Sequence, residues 1–568
     1  MRSPTITIVL PALMGLLNGT ALRAQDASCE GLPVKSVEVE SQRPVFRGVL
    51  ATWRKVARAM GLHHENTSEG LIRRFVTLDP GRACTEFRAS ETERILRAQP
   101  YIADAVVTTR RVGDSVEVHV ATVDEVPVVA GLRLRGASPQ AANFGTMNLF
   151  GTGLHVESRW EHGRALRTGF GGRIAHPQLF GRPYEVVLDG MRRPLGEYWS
   201  VSVSHPFFTD LQRVAWHTGW GVSKDFSPLR RPDKSLLVQP VDRAMLHVGG
   251  VVRFGPPRKL GLVGAMVLAD YVQTRSNIGL MDSSGRVLPA PDTAGVGSYP
   301  AHDETHVAGV LGVRALRFAR VRGLDALEAE QDIATGTQFG AIFGVRPSLT
   351  STFSSAFGAV DLYVGGRSRR NFAGLRVDVQ SRMNVDRSEW EHMVGSGRAA
   401  WYFQPRPRWV SELSVEGAGV WRSILPFQIE LGDRRSGVRG YAGAHEAGGQ
   451  RLVARFEQRA DLARYQSTRA AIGGAVFADL GRVWSGEAPF GVTTPVRGSA
   501  GLAVLAAVPA RSRRTVRMEL AVPFDRSRGA GAELRFVVKE PAAGFWAEPP
   551  RIRWARLSAV PEQIFSWP

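Results

Sequence analysis

Cysteine is nearly absent from this chain: Cys29 and Cys84 are the only two in 568 residues. Standing 55 positions apart, they form no paired-cysteine metal motif. Lysine is scarce too, confined to sites such as Lys35, Lys55, Lys224 and Lys259, so the net charge of +19 rests on arginine. Long hydrophobic runs are missing. Beyond the amino terminus no stretch of about 18 uncharged apolar residues occurs, which excludes helical membrane spans. There is no phosphate-binding glycine loop and no G-x-S-x-G elbow, and nothing else points to an enzyme or to a cofactor. Past residue 100 amphipathic helices are almost absent, whereas a soluble chain of this length usually shows several.

The amino terminus opens with Met1-Arg2-Ser3-Pro4, continues with apolar residues from Ile6 to Leu17, and ends in Ala21-Leu22-Arg23-Ala24. A basic start, a short greasy centre and a small residue at the cut predict a secretory signal peptide over 1–24. About 12 apolar residues are too few for a helical anchor, which needs roughly 20. A lipoprotein is disfavoured because Asp26-Ala27-Ser28 puts an acid in front of Cys29. In an exported chain two cysteines suggest a disulfide, with two free thiols as the alternative.

Residues 25–130 read as a small α+β domain. Val34 to Glu40 alternates as a strand, and Gly48 to Met60, Ser68 to Thr77 and Ser90 to Arg97 have helical spacing. Ser90 with Glu93 forms a capping-box pattern. Ala105 to Thr109 and Ser115 to Val123 read as a hairpin across Val112-Gly113-Asp114.

From about residue 150 the period becomes two. Leu154-His155-Val156-Glu157-Ser158-Arg159-Trp160-Glu161 sets apolar residues against polar ones, and Trp199 to Ser204 and Val214 to Trp220 repeat the scheme. Many segments of about ten residues, with Trp and Tyr near their ends, are the pattern of a transmembrane barrel with its apolar face outward. Between 150 and 538 roughly 16 to 18 segments can be counted, and the even-number habit selects about 16 antiparallel strands. Met281 to His302 reads as a surface loop, and 539–568 is a tail of unassigned role. A basic excess fits nucleic acid, but these arginines alternate along strands of an exported chain. They suit a polar lumen and lipopolysaccharide phosphate, and no nucleic-acid partner is expected.

Two segments stand out. Val438-Arg439-Gly440-Tyr441 sits in a loop, and Phe477-Ala478-Asp479-Leu480-Gly481 sits in a strand after it. Between them Leu452, Ala454 and Phe456 share one strand face and Arg455, Glu457 and Arg459 the other, which turns Glu457 inward. The two segments resemble the V/L-R-G-F/Y loop and F-x-D-x-G strand motifs of the BamA/TamA-type outer-membrane assembly superfamily, the bacterial surface antigen family. The text Leu78-Asp79-Pro80-Gly81 and Glu91 to Ala105, in the order strand, helices, two strands, resembles that superfamily's periplasmic POTRA domain. Thr146 to Leu154 fits the start of such a barrel. The carboxyl end departs from the pattern, since members usually stop at an aromatic residue closing the last strand.

The resemblance implies one POTRA-like domain over 25–130, a barrel over 131–538, and placement in a Gram-negative outer membrane with the POTRA in the periplasm. It implies a factor that inserts or exports other polypeptides. Clients would be taken at the POTRA sheet edge and at the seam between first and last strands, with accessory periplasmic proteins possible. It puts Phe477 and Asp479 on the lumen face, so that Arg439, Glu457 and Asp479 form a lock. The alternative is a passive channel for small solutes. A two-partner secretion pore usually carries two POTRA domains and a plug helix, neither of which is legible in the sequence. Two further patterns carry nothing: Asp303 to Gly309 echoes a protease histidine motif without a nucleophile, and His302 and His306 would share a metal only on a helix.

Overall fold

The computed structural model describes residues 29–42, 65–135, 138–162, 168–193, 196–282, 286–290, 293, 296–347, 355–465, 470–525, 529–539 and 547–556. The signal-peptide reading of 1–24 and the helical reading of 48–60 lie outside the described residues.

The amino-terminal domain runs β1 (Val34–Gln42), α1 (Glu69–Arg73), α2 (Glu86–Ala98), β2 (Ile102–Val112) and β3 (Ser115–Asp124). Its sheet has the order β1-β3-β2, with β1 parallel and β2 antiparallel to β3. Every second residue of β3 is buried, so Val116, Val118 and Val120 join Val34, Val37, Ile72, Ile95 and Leu96 in one core. Cys29 and Cys84 are joined in a disulfide with their Cα atoms 5.5 Å apart, fastening the start of the domain to the segment before α2. Gly113, at φ +62°, makes the β2–β3 turn that a side chain would strain. The capping-box expectation at Ser90 is corrected. The helix starts earlier, with the Thr85 side chain accepting from the Arg88 amide, and Ser90 Oγ donates instead to the Phe87 carbonyl.

The sheet that follows closes on itself, and the expected count of about 16 strands is wrong. Twenty-two strands are named round the ring, but β13 (Gly279–Met281) and β14 (Val287–Pro289) form a short hairpin leaning on β11 (Leu236–Phe254). Below that hairpin β12 (Leu260–Thr274) pairs directly with β15 (His302–Arg322), leaving 22 − 2 = 20 wall strands. Two of them, β4 (Val128–Arg135) and β5 (Ser138–Leu149), precede residue 150. The sequence of β5, SPQAANFGTMNL, offers no apolar alternation to reveal it. The last strand, β27 (Glu533–Lys539), lies beside β4 and closes the ring.

The wall is apolar on its outer face. On β11 Leu246, Val248, Val252 and Phe254 are exposed, while Arg243, His247 and Val251 between them are buried. Trp390 and Trp421 stand outward at one rim, Trp401 and Trp409 towards the other, as interfacial girdles do. So continuous an apolar surface calls for lipid around it. None of the described helices is long and apolar enough to cross a membrane.

The amino-terminal domain docks on the rim where β4 begins. Arg97 makes a two-pronged contact with Asp332 at 2.9 and 2.8 Å, Thr209 donates to Glu91 at 2.7 Å, and Ser512 donates to Glu125 at 2.8 Å. Helix α2 thus lies over the mouth, its Arg94 guanidinium stacked 4.3 Å from the ring of Phe318. From the same rim the turn 323–329 folds inward, where Leu324 accepts from Arg459 at 2.5 Å and Asp325 accepts from Tyr402 at 2.9 Å. From the opposite rim the loop 422–449 enters the lumen between β20 (Trp409–Trp421) and β23 (Gln450–Tyr465).

Candidate functional site

The inward loop ends in a tight tip. Gly437 N donates to Asp433 O at 2.6 Å, Val438 N to Leu431 O at 2.8 Å, and Ser436 Oγ to Asp433 at 3.0 Å. The barrel wall grips it from below: Arg451 donates to Glu430 O at 2.8 Å and Ser436 Oγ at 2.7 Å, and Arg455 reaches the carbonyls of Ser436 and Gly437. These arginines reach the loop because the alternation of β23 turns them inward while Leu452 and Phe456 face outward.

Arg439 stands at the tip. Its Nε and Nη2 donate to the two oxygens of Asp479 at 2.7 and 2.6 Å, and its main-chain amide donates to the same carboxylate at 3.2 Å. The guanidinium lies 3.4 Å from the ring centroid of Phe477, so fork and aromatic face fix its plane together. Asp479 is 0% exposed and Arg439 7%. Both Phe477 and Asp479 belong to β24 (Ala470–Trp484), whose even-numbered Ile472, Val476 and Leu480 face outward.

Glycine decides two of the contacts. Gly440 holds φ +86°, a region that penalises any side chain, and donates its amide to Glu533 at 3.0 Å. A Cβ on Gly481 would stand 2.5 Å from Val438, so this strand position must stay bare for the loop to lie against it. Val438 is buried there with Leu431, Val453 and Val483. Tyr441, also buried, donates its hydroxyl to the Gly498 carbonyl at 3.0 Å.

Glu457 faces inward as its alternation predicts, but its main partner is a second arginine. It faces the lumen but lies 3.7 Å from Arg439, while Arg517 holds it with two bonds of 3.0 and 2.8 Å. Arg517 also bonds Glu519 at 2.9 Å, and Glu519 lies 3.5 Å from Arg439. Arg439 of the loop, Arg459 at 3.6 Å from Glu457, Arg517 and the three carboxylates therefore form one lattice between the loop and β23, β24 and β26 (Thr515–Pro523). The sequence reading missed Arg517, Glu519 and Glu533. The signal was present, because Val516, Met518, Leu520 and Val522 alternate outward along β26 and leave Arg517 and Glu519 inward.

The lattice ties the loop to the wall that flanks the seam. Gly531 N donates to Gly440 O at 3.1 Å, and Arg535 of β27 donates to the Arg434 carbonyl. Removing one member of a buried pair costs about 3–5 kcal/mol, although an intact pair adds little net stability, so its contribution here is to fix geometry.

The segment 302–306 lies on strand β15, as its alternation predicts. His306 Nε2 is 3.0 Å from Ser355 Oγ, which donates to Glu304 at 2.8 Å, and Glu304 is 3.3 Å from the same ring nitrogen. With serine and carboxylate on one nitrogen, the imidazole relays no proton between them. Among the described residues no group of three or more ligands could hold a metal ion.

No protein-family model and no curated protein matches the chain in sequence. Solved structures are similar to it in three dimensions. BamA from Haemophilus ducreyi lacking POTRA domains 1–3 is 13% identical over 89% of this chain and 83% of that one, with a TM-score of 0.39. CdiB from Acinetobacter baumannii is 8% identical over 89% and 74%, with a TM-score of 0.42. For CdiB from Escherichia coli the figures are 9%, 94% and 92%, with a TM-score of 0.35.

Proposed function

We propose that this protein is an outer-membrane assembly or secretion factor of the BamA/TamA type, which inserts or exports other polypeptides. The observation that carries the reading is the inward loop whose Arg439 is clamped by Asp479 against Phe477. The three residues belong to the loop and strand segments whose sequences resemble the motifs of that superfamily. On this reading residues 25–130 are its POTRA-like domain, in the periplasm. The sheet β1-β3-β2 has two outer strands, and a client strand pairing with one of them would be held by main-chain bonds with little sequence demand. Lipid and lipopolysaccharide surround the wall, the seam of β27 and β4 is the membrane-side exit, and accessory periplasmic proteins would meet the amino-terminal domain.

A passive channel needs an open lumen. This one holds the loop 422–449 and the turn 323–329, with α2 lying over one mouth. The deciding experiment is depletion followed by quantitative proteomics of the outer membrane. Loss of particular barrels or surface proteins is the expected result. Unchanged proteins with altered uptake of small solutes would overturn the reading in favour of the channel.

A further inference from the structure

Residues 547–556, part of the tail that the sequence leaves without a place, lie inside the barrel. Residues 547–556 contain the short helix α3 (Pro550–Ala555), and its Ile552 and Ala555 are fully buried against Val394, Val420 and Phe427. Trp554 packs towards Val241 and Val272, on β11 and β12. The polar contacts come from two distant parts of the wall. Arg243 on β11 donates to the main-chain carbonyls of Trp554 and Arg556, the latter at 2.5 Å. His392 on β19 (Glu389–Arg406) donates to the Ala555 carbonyl at 2.7 Å, and Ser396 donates to Glu548 at 2.9 Å. Five wall strands, β12, β15, β16 (Glu330–Val345), β17 (Ser355–Ser368) and β18 (Asn371–Asn384), stand between β11 and β19, so the segment is strung across the interior.

Two properties of this seat are general. Its donors Arg243 and His392 read main-chain carbonyls, which every polypeptide carries, and its sockets accept an aliphatic and an aromatic side chain without polar demands. A cavity of about 1210 Å³ opens beside it, lined by Glu548 and Arg553 of the segment, by the loop tip and by residues of β27, so the segment borders water.

We propose that this seat is a peptide-binding site on the translocation path, which the chain fills with its own residues 547–556. The ligand it takes in exchange is a short stretch of a passing polypeptide carrying an aliphatic and an aromatic residue flanked by basic ones. The proposal rests on the reading of the protein as a polypeptide translocator, but the seat itself is tested without any client.

The test is conductance in planar bilayers of the full chain and of a chain ending at residue 546. The shortened chain conducts severalfold more, and a synthetic peptide of residues 547–556 restores the low level. In the shortened chain Arg243→Ala raises the blocking concentration of that peptide severalfold. Equal conductance of the two chains, or equal block by an acidic peptide of the same length, overturns the proposal. Should the shortened chain fail to insert, Ser396→Cys with Glu548→Cys, bridged by a short bis-methanethiosulfonate that forms a disulfide with each thiol, decides. Tethering abolishes opening events, and a reductant restores them. Tethered protein that opens as freely as untethered protein overturns the seat. Block by the peptide with an unchanged outer-membrane proteome would keep the seat and reject the assembly function.

Discussion

Replacing Arg439 by alanine removes both side-chain bonds to Asp479, of 2.7 and 2.6 Å, together with the contact on the Phe477 ring. What it leaves behind sets the magnitude. Glu457 and Glu519 keep Arg517, at 2.8 to 3.0 Å, so neither becomes an orphan. Asp479, 0% exposed, keeps only the Arg439 amide at 3.2 Å. One buried carboxylate stripped of its cation corresponds to about 3–5 kcal/mol. At about 1.4 kcal/mol per factor of ten, the undocked tip gains on the order of a hundredfold to several thousandfold in population. The rest of the loop stays held through Arg451, Arg455 and Tyr441. The expected variant is therefore an inserted barrel with a loosened tip.

Amide exchange and limited proteolysis across 433–441, in detergent or lipid discs, measure that population, and the folded band on an unboiled gel reports the barrel separately. Arg439→Lys restores only part of the protection, because an ammonium lacks the fork that engages both oxygens. Asp479→Asn loosens the same residues, and combining it with Arg439→Ala adds little, as for groups sharing one interaction. Exchange in 433–441 equal to wild type for both single variants would refute the lock.

Three further outcomes follow from the same structure. Unboiled protein migrates differently from boiled protein because a closed sheet resists detergent, and identical migration with a helical circular-dichroism spectrum would remove the barrel. Gly481→Ala puts a methyl 2.5 Å from Val438 and weakens loop docking by about 1–3 kcal/mol, read as faster proteolysis at the tip than in wild type. Cys29→Ser with Cys84→Ser opens a 55-residue loop and lowers the stability of the amino-terminal domain by up to about 4 kcal/mol in denaturant titration. An unchanged midpoint would deny the bond a stabilising role.

How far the architecture was legible depended on whether a residue faces two different solvents across the wall. After Tyr441 the sequence alone predicts five strands, over 451–462, 470–484, 499–508, 515–524 and 530–538, and the structure has them within a few residues of those bounds, because Leu452 and Phe456 meet lipid while Arg455 and Glu457 meet the lumen. Where the interior is itself apolar, that contrast fades. Leu262, Met266 and Leu268 of β12 point inward onto Val251 and Phe207 while Val263 and Val267 point out, so the strand reads greasy on both faces. Strand β5, SPQAANFGTMNL, failed for the opposite reason, being mostly small or polar. Of the site, Arg439 and Asp479 could be paired from motif and alternation, but Glu457 could not be assigned to Arg517. That choice depends on β26 lying three strands away, and no local pattern encodes it.

The arginine excess is explained by the same inversion of inside and outside. In a soluble protein residues such as Arg551, Arg553 and Arg556 would be read as a solvated basic tail, because a buried guanidinium without acceptors is costly. Here the interior supplies the acceptors. Arg551 donates to the Gln428 carbonyl at 3.1 Å and lies 4.7 Å from the Trp554 ring, and Arg556 pairs with Glu548 at 2.5 Å. Arg451, Arg459 and Arg517 likewise meet Glu416, Glu412 and Glu457 at 2.8 to 3.2 Å. A charge of this size is therefore compatible with a lipid-facing exterior, since many of the arginines that carry it turn inward. The planar fork explains why arginine and not lysine was used: inside a crowded lumen one side chain must satisfy two acceptors at fixed angles, which a point charge on a flexible stem does poorly.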